Sequence, residues 1–365
     1  MFAPMKKLNF YSGPAILPPS VLEQAKNSIE DFAGSGLSVL EISHRSKEFV
    51  QVMEQARALV KELMQLNNNY EVLFMHGGAL SQFHIVPMNL LNENETASYF
   101  DTGTWANGAL TEAKNFGKVH IACSSRNKDY TYLPKAYNVA EESKYLHITS
   151  NNTIYGTQIN AAQLQKISTE NKSIVCDMSS DIFSRQLDYN QYDLIYASAQ
   201  KNIGPSGTTL VAVNKNILGT VNRSIPKMLD YRKHIEKESM LNTPSVFSVY
   251  VSYLMLQWMK AEGLENIEAR NIRKAAKLYA LLDASNIFEG TVAAEDRSLM
   301  NVCFKLKNHS TEMENAFVNF CTANNILGIK GHRSVGGFRA SIYNAMPEEG
   351  VDTLIEVMKE FERTR

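Results

Sequence analysis

Lys201 follows the apolar run Leu194–Ala197 and enters a turn closed by Gly204-Pro205 and Gly207, in the segment YDLIYASAQKNIGPSGTTLVAV. An amine held beyond a strand can face an enclosed cavity, where burial disfavours the ammonium form and leaves a nucleophile for an aldehyde. Alone it decides nothing, because most lysines beside a turn are solvated. Asp177 ends the run Ser173-Ile-Val-Cys176, 24 residues before Lys201. A carboxylate at a strand's carboxyl end can hold a pyridine nitrogen protonated and turn the ring into an electron sink. Its ordinary alternative is an N-cap for the turn that follows. Asp, strand, turn and Lys in this order are moderately specific for a pyridoxal-5′-phosphate (PLP) site, which neither residue is by itself.

Such a site also needs a phosphate holder. Gly77-Gly78 stops the apolar run Glu71–His76 and leads into a helical segment, whose first N–H groups can face an anion. A plain tight turn is the alternative. Trp105, in the glycine-punctuated FDTGTWANGA, can lie flat against a ring or fill core, and its type leaves both readings open. Two His-Arg-Ser motifs, His44-Arg45 and His332-Arg333, together with Arg339, are candidate anion readers. An isolated His-Arg pair is ordinarily a solvated loop charge. In a chain of formal net charge −1, however, such clusters read as sites rather than as part of a basic field. The same balance, without interleaved aromatics, argues against nucleic acid.

These residues need a sheet to position them. Strand-like runs at 71–76, 96–100, 118–122, 145–149, 173–176, 194–197 and 209–213 alternate with helical or loop segments. The pattern predicts an α/β chain with a mostly parallel sheet under helices. The stripe Phe49, Val52, Met53, Ala56, Leu59, Val60, Leu63 and Met64 predicts a helix with Ser46 as N-cap. Ser20-Val-Leu-Glu23 has capping-box spacing, and Leu22, Ala25, Ile29 and Phe32 predict a helix ending near Gly34 or Gly36. A kink is expected at Pro87. Beyond Gly263 a long helix to Leu282, a strand at 300–306, a helix near 313–323, a strand pair around Gly336-Gly337 and an amphipathic last helix predict a smaller α+β unit. Residues 16–262 are thus expected to form the large domain, with 1–15 and 263–365 forming the small one.

At 365 residues, with 44% hydrophobic and 21% charged residues, the chain has the balance of a globular protein with room for two cores. Its four cysteines are scattered, without a C-x-x-C pair, which fits a reducing cytoplasm. The N-terminal MFAPMKKLNFYSGPAILPPS lacks the apolar core of a secretory signal. Val249–Met259 is too short and too interrupted for a membrane span and reads as a buried helix. No metal-ligand pattern is present.

Taken in order, NFYSGPAILP, EISHRSKEF, FMHGGALSQF, FDTGTWA, VCDMSSDIFSR, YASAQKNIGPSG, LNTPSVFSVY and GHRSVGGFRASIYNA resemble the phosphoserine aminotransferases of the class-V aminotransferase family. The resemblance runs through almost the whole chain. It implies PLP fold type I, aspartate aminotransferase-like, and a homodimer whose two active sites are shared, with one PLP per subunit. It implies transfer of an amino group from L-glutamate to 3-phosphohydroxypyruvate in serine biosynthesis. The related phosphorylated keto acid of pyridoxine biosynthesis is a second candidate substrate.

By motif, Lys201 is similar to the Schiff-base lysine, Asp177 to the pyridinium partner, Trp105 to the ring-stacking residue and Thr153 to a cofactor-contacting threonine. Ala79, Leu80 and Gln200 match positions around the phosphate. Asn242 and Thr243 match residues that reach it from the neighbouring subunit. Arg339 resembles the α-carboxylate fork, His44, Arg45, His332 and Arg333 the distal anion cluster, and Ser12 a substrate-side position. Leu80 stands where some members carry an arginine, so the distal end here rests on the other basic residues. Rival readings are an alanine:glyoxylate-type aminotransferase, a cysteine desulfurase, and a non-catalytic module on the same scaffold. The doubled HRS motif, the absence of a cysteine in a mobile-looking loop, and the retained Lys201 and Asp177 speak against these in turn.

Overall fold

The structure, a computed structural model, describes residues 7–167, 172–308 and 310–364. The first six residues, part of the N-terminal reading and of the 1–15 segment, lie outside the described residues. The chain runs through β1 (Leu8–Asn9), α1 (Pro19–Glu30), α2 (Lys47–Leu63), β2 (Tyr70–Met75), α3 (Gly78–Leu90), β3 (Thr96–Asp101), α4 (Thr104–Ala113) and β4 (Lys118–Ser124). There follow β5 (Ser143–Thr149), β6 (Asn151–Asn152), β7 (Thr157–Gln158), α5 (Ala161–Gln165), β8 (Ser173–Asp177), β9 (Leu194–Ser198), β10 (Thr209–Asn214), α6 (Tyr231–Glu236) and α7 (Val246–Glu262). The last part is α8 (Leu264–Ala284), β11 (Phe288–Gly290), β12 (Asn301–Leu306), α9 (Thr311–Ala323), β13 (Ile326–Leu327), β14 (Phe338–Ser341) and α10 (Glu348–Arg363).

Seven strands form the main sheet in the order β2-β10-β9-β8-β5-β3-β4. Only β10 is reversed, antiparallel to both β9 and β2; the other pairings are parallel. The carboxyl ends of β2, β9, β8, β5 and β3 therefore gather along one edge. Except at the edge strand β4, which is largely uncovered, both faces are covered, which is why the strands read as continuous apolar runs rather than alternating ones. On one face Leu73, Met75, Val175 and Val211 pack with Phe83 and Val86 of α3 and Leu110 of α4. On the other Val72, Phe74, Ile148 and Cys176 pack with Val52 and Met53 of α2 and Met255 of α7.

A second core lies around the three-stranded antiparallel sheet β11-β12-β14. Phe288, Phe304, Phe317, Phe338 and Phe361 from that sheet, α9 and α10 fill it, and Phe10 joins them. The N-terminal strand β1 pairs in parallel with β13, a contact between chain ends that no local pattern announces. Of the strand pair expected around Gly336-Gly337, only β14 is a full strand; its partner makes a single bridge, Lys330 to Phe338.

Helix α2 follows its stripe, and the Ser46 hydroxyl accepts the Phe49 N–H as its cap. The first helix departs from expectation. It starts at Pro19 with Pro18 at the N-cap and no side-chain cap, so Ser20 lies inside the first turn and the capping box does not form. Two prolines preset the backbone angle and begin the helix early. Its buried side is Val21, Ala25 and Ser28, packed toward α7, while Leu22 and Ile29 are exposed. The helix stops at Glu30, before the left-handed residues Ala33, Gly34 and Gly36. Pro87 lies within α3, and the helix continues past it to Leu90. Among the described residues no helix is long and apolar enough to cross a membrane.

Candidate active site

The carboxyl edge of the sheet ends in polar residues that share one register. Thr149 of β5 is level with Asp177 of β8, and Asp177 is level with Tyr196 of β9, two residues before Ser198. Ligands gather at such edges because the strand ends open onto loops rather than onto further sheet. Here they border a cavity of about 340 Å³. Its walls include Ser12, Gly77, Gly78, Ala79, Leu80, Trp105, Thr149, Asn151, Thr153, Asp177, Ser179, Ser198, Gln200, Lys201, His332 and Arg339.

Lys201 reaches it from the turn after β9. That turn is tight: Ile203 and Gly204 both donate their N–H to the Ala199 carbonyl. Gly204 sits flat on α7, where a Cβ would come within 2.7 Å of the Ser252 hydroxyl. The Lys201 Nζ donates to Thr153 Oγ1 at 2.9 Å. Burial lowers its pKa to about 8, against the opposing pull of Asp177 and with help from the Arg339 charge. The neutral amine expected from sequence is therefore accessible near neutral pH.

Asp177 is buried, and burial raises its pKa; hydrogen bonds from Ser179 and the Lys201 charge work the other way. Its Oδ1 accepts the Ser179 N–H at 2.9 Å, so the turn-capping reading also holds. The turn is held further by Asp181, which accepts from the Ser150 hydroxyl, from Gln158 at 3.0 Å and from Arg185 at 2.9 Å. One residue pair below Asp177, His147 Nε2 meets the Tyr196 hydroxyl at 2.9 Å, and the His147 ring stacks on Tyr99. Burial pushes the His147 pKa down to about 3, so its ring is uncharged beneath the carboxylate.

At the other side Gly77 and Gly78 adopt φ of +100° and +71°, the left-handed region that glycine tolerates. A Cβ at Gly77 would meet the Ser81 hydroxyl at 2.6 Å. Gly78 opens α3, whose first free N–H groups lie among the cavity-lining residues 78–80. Trp105, in the first turn of α4, is half-buried; it lines the cavity and also packs against the core beneath α3 and α4. Ser12 is brought in by the N-terminal segment, anchored where Ala15 N–H donates to the Gln200 carbonyl at 2.9 Å.

Arg339, on β14, is only 7% exposed; its Nη1 makes one long bond of 3.5 Å to the Thr153 carbonyl, and its Nε has no partner. A buried guanidinium so poorly paired is costly unless an anion joins it. His332 lines the same cavity, with Nδ1 2.7 Å from the Ser334 hydroxyl and its pKa lowered by burial and by Arg339 and Arg333.

PLP needs an amine for its aldehyde, a carboxylate for its ring nitrogen, a flat apolar side and a phosphate cup. Lys201, Asp177, Trp105 and the Gly77-Gly78 helix entry meet these four demands within one cavity. The buried, unpartnered Thr149 hydroxyl adds a polar atom for a ligand to satisfy. The residues therefore fit the group.

The cavity thus unites Ser12, Ala79, Leu80, Trp105, Thr153, Asp177, Gln200, Lys201, His332 and Arg339. His44, Arg45, Arg333, Asn242 and Thr243 do not line it. Arg45, Arg333 and Thr243 are exposed. Asn242 and the Thr243 carbonyl instead bond the ring of His76, at 3.2 and 3.1 Å. Thr149, Asn151, Ser179 and Ser198 are lining residues that sequence reasoning missed. Thr149 was within reach, since it ends an apolar run beside the one ended by Asp177.

A model of the family described as aminotransferase class-V matches residues 7–354. The phosphoserine aminotransferase of Parabacteroides distasonis is 53% identical over 360 residues, spanning 98% of this chain and 99% of that protein. The solved phosphoserine aminotransferase from Bacillus circulans subsp. alkalophilus superposes with a TM-score of 0.94 at 41% identity, covering 99% of each chain. The PLP-bound enzyme from Trichomonas vaginalis gives 0.90 at 33% identity, over 97% of this chain and all of that one. With a cavity of this make-up and similarity along its whole length, the chain belongs to the class-V aminotransferase family, with the phosphoserine aminotransferases as its relatives there.

Proposed function

We propose that this chain is a PLP-dependent phosphoserine aminotransferase, moving the amino group of L-glutamate reversibly to 3-phosphohydroxypyruvate to give O-phospho-L-serine and 2-oxoglutarate. The observation that carries the reading is the shared cavity of Lys201, with its lowered pKa, Asp177 and the underpaired Arg339. Bound PLP supplies an electron sink for the negative charge left at the substrate Cα. The rest is done by the chain. Asp177 holds the proton on the ring nitrogen, and its buried carboxylate gains a cation in exchange for lost water. Arg339 orients the α-carboxylate common to both substrates, a planar bidentate task suited to guanidinium. Once its amine is free, Lys201 would take the Cα proton as general base and return it as general acid. Thr153, bonded to its Nζ, aims the amine. His332 faces the distal anionic group.

The reading extends to a homodimer with one PLP per subunit. Asn242 and Thr243, outside their own cavity, would reach the partner's phosphate cup, and His44, Arg45 and Arg333 would complete the distal end in the assembled pair. The exposed Leu22, Ile29, Leu37 and Leu40 offer apolar surface for that contact. A role in serine biosynthesis in the cytoplasm, and use of the phosphorylated keto acid of pyridoxine biosynthesis, belong to the same proposal. The test is spectroscopic. Glutamate should convert the yellow protein to the pyridoxamine form, and 3-phosphohydroxypyruvate should restore it; an unchanged spectrum with glutamate sinks the aminotransferase reading, and failure of the second step sinks the acceptor.

A further inference from the structure

Asn301, the first residue of β12, is wholly buried yet lines no part of the cavity. Its side-chain amide is fully used. Oδ1 accepts from Asn151 Nδ2 at 2.8 Å, and Nδ2 donates to the Ser341 hydroxyl at 3.1 Å and the Tyr343 hydroxyl at 3.2 Å. The three partners lead to three walls. Asn151 lies two residues before Thr153, which holds Lys201. Ser341, level with Asn301, lies two residues beyond Arg339 on β14. Tyr343 in turn donates to the Ser12 carbonyl at 2.9 Å.

We propose that Asn301 is a positioning residue that sets the spacing between the Lys201–Thr153 pair and Arg339, and so the fit of the substrate α-carboxylate. The lysine comes from the main sheet and the arginine from the small one, so no single strand register relates them. Direct contact between the two sides at the site is the 3.5 Å bond from Arg339 to the Thr153 carbonyl, too long to fix a separation. Asn301 supplies a rigid link one step behind the cavity, beside the Ser298 hydroxyl, which donates to Asn151 Oδ1 at 2.6 Å but does not reach β14. Gly156 reinforces it: a Cβ there would come within 2.9 Å of the Asn301 carbonyl, so the turn after Thr153 lies flat on β12. Buried amide networks of this kind specify one arrangement only when every member is satisfied.

The inference rests on the aminotransferase reading and is tested with the PLP-loaded protein. Asn301→Leu keeps volume and removes all three bonds. It should raise KM for glutamate and for the keto acid together, by about tenfold, because a shift well under 1 Å suffices for that. The bound-cofactor spectrum should stay as in the parent, and kcat should change by less than about twofold, the pattern of lost uniform binding. A merely structural residue would lower the unfolding temperature without this split. The decisive measurement is a double-mutant cycle: in an Arg339→Lys background, Asn301→Leu should add less than about twofold to KM. Tyr343→Phe, a milder change, should show the same signature at about threefold and decides the matter if the leucine variant does not fold. Unchanged KM in a folded variant, or factors that simply multiply with Arg339→Lys, overturn the inference alone. A parent protein that does not respond to glutamate overturns the underlying reading with it.

Discussion

The two ends of the cavity are built in different ways. At the cofactor end, Asp177 and Thr149 are level on adjacent parallel strands, and Lys201 and Gly77-Gly78 follow the ends of two more strands of the same sheet. Their positions depend on sheet register, the most strongly specified feature of a buried sheet. At the distal end His332 stands in a loop before β14, while Arg333, His44 and Arg45 lie outside the cavity altogether. Chemistry that must be exact sits on the rigid frame, and recognition of a second anionic group is left to loops whose completion we assign to a partner subunit. A substitution at the first end should therefore abolish turnover, and one at the second should shift affinity.

The sharpest break is Lys201→Ala, which removes the base as well as the cofactor anchor. The glutamate half-reaction should fall by about 10³-fold or more, measured as single-turnover absorbance change. Retention of more than a tenth of the parent rate would end the assignment. Arg339→Lys should raise KM for both substrates by roughly tenfold to a hundredfold, since one leg of a charge-assisted fork is lost. Selectivity for only one substrate would show that Arg339 reads something other than the shared α-carboxylate.

Next comes pH. The folded protein holds the Lys201 pKa near 8, below the free value of 10.5, so the neutral amine forms as pH rises through about 8 rather than two units higher. Capture of PLP by the cofactor-free protein should accelerate across that window and be about tenfold slower at pH 7 than at its plateau. Stopped-flow capture rates with a midpoint near 10 would remove burial as the activating force.

The smallest effect belongs to the distal loops. Arg45→Ala should raise KM for the phosphorylated keto acid by only about fivefold, the scale of an exposed charge. Mixed dimers of Lys201→Ala and Arg45→Ala chains should then contain one intact site with the parent KM. Failure to recover it would place Arg45 with its own chain or outside the site.

Much of the frame was legible before folding. Seven apolar runs became seven strands, and the α2 stripe with its Ser46 cap formed as its period required, because both faces of a covered sheet and one face of a helix leave a plain hydrophobic signature. The first helix misled in part: Ala25 and Phe32 of its stripe are buried, but Leu22 and Ile29 are exposed, because the side packed toward α7 is Val21, Ala25 and Ser28. Trp105 could not be assigned from its type, since a half-buried indole serves core and cavity alike. Asn151 and Asn301 left no mark, because a polar residue at the end of a strand looks the same whether it meets solvent, a ligand or another buried amide.

Sequence alone determined the candidates for chemistry: an amine after a strand, a carboxylate ending another, a glycine pair before a helix, and an arginine near the C-terminus. These are properties of residue type and local period. Only the tertiary structure decided which of them share a space. Lys201 and Arg339 are separated by 138 positions in the chain and rise from different sheets, so their meeting rests on contacts between those sheets, the buried Asn151–Asn301 and Asn151–Ser298 bonds among them. Such long-range contacts leave no periodic trace in the residues that make them.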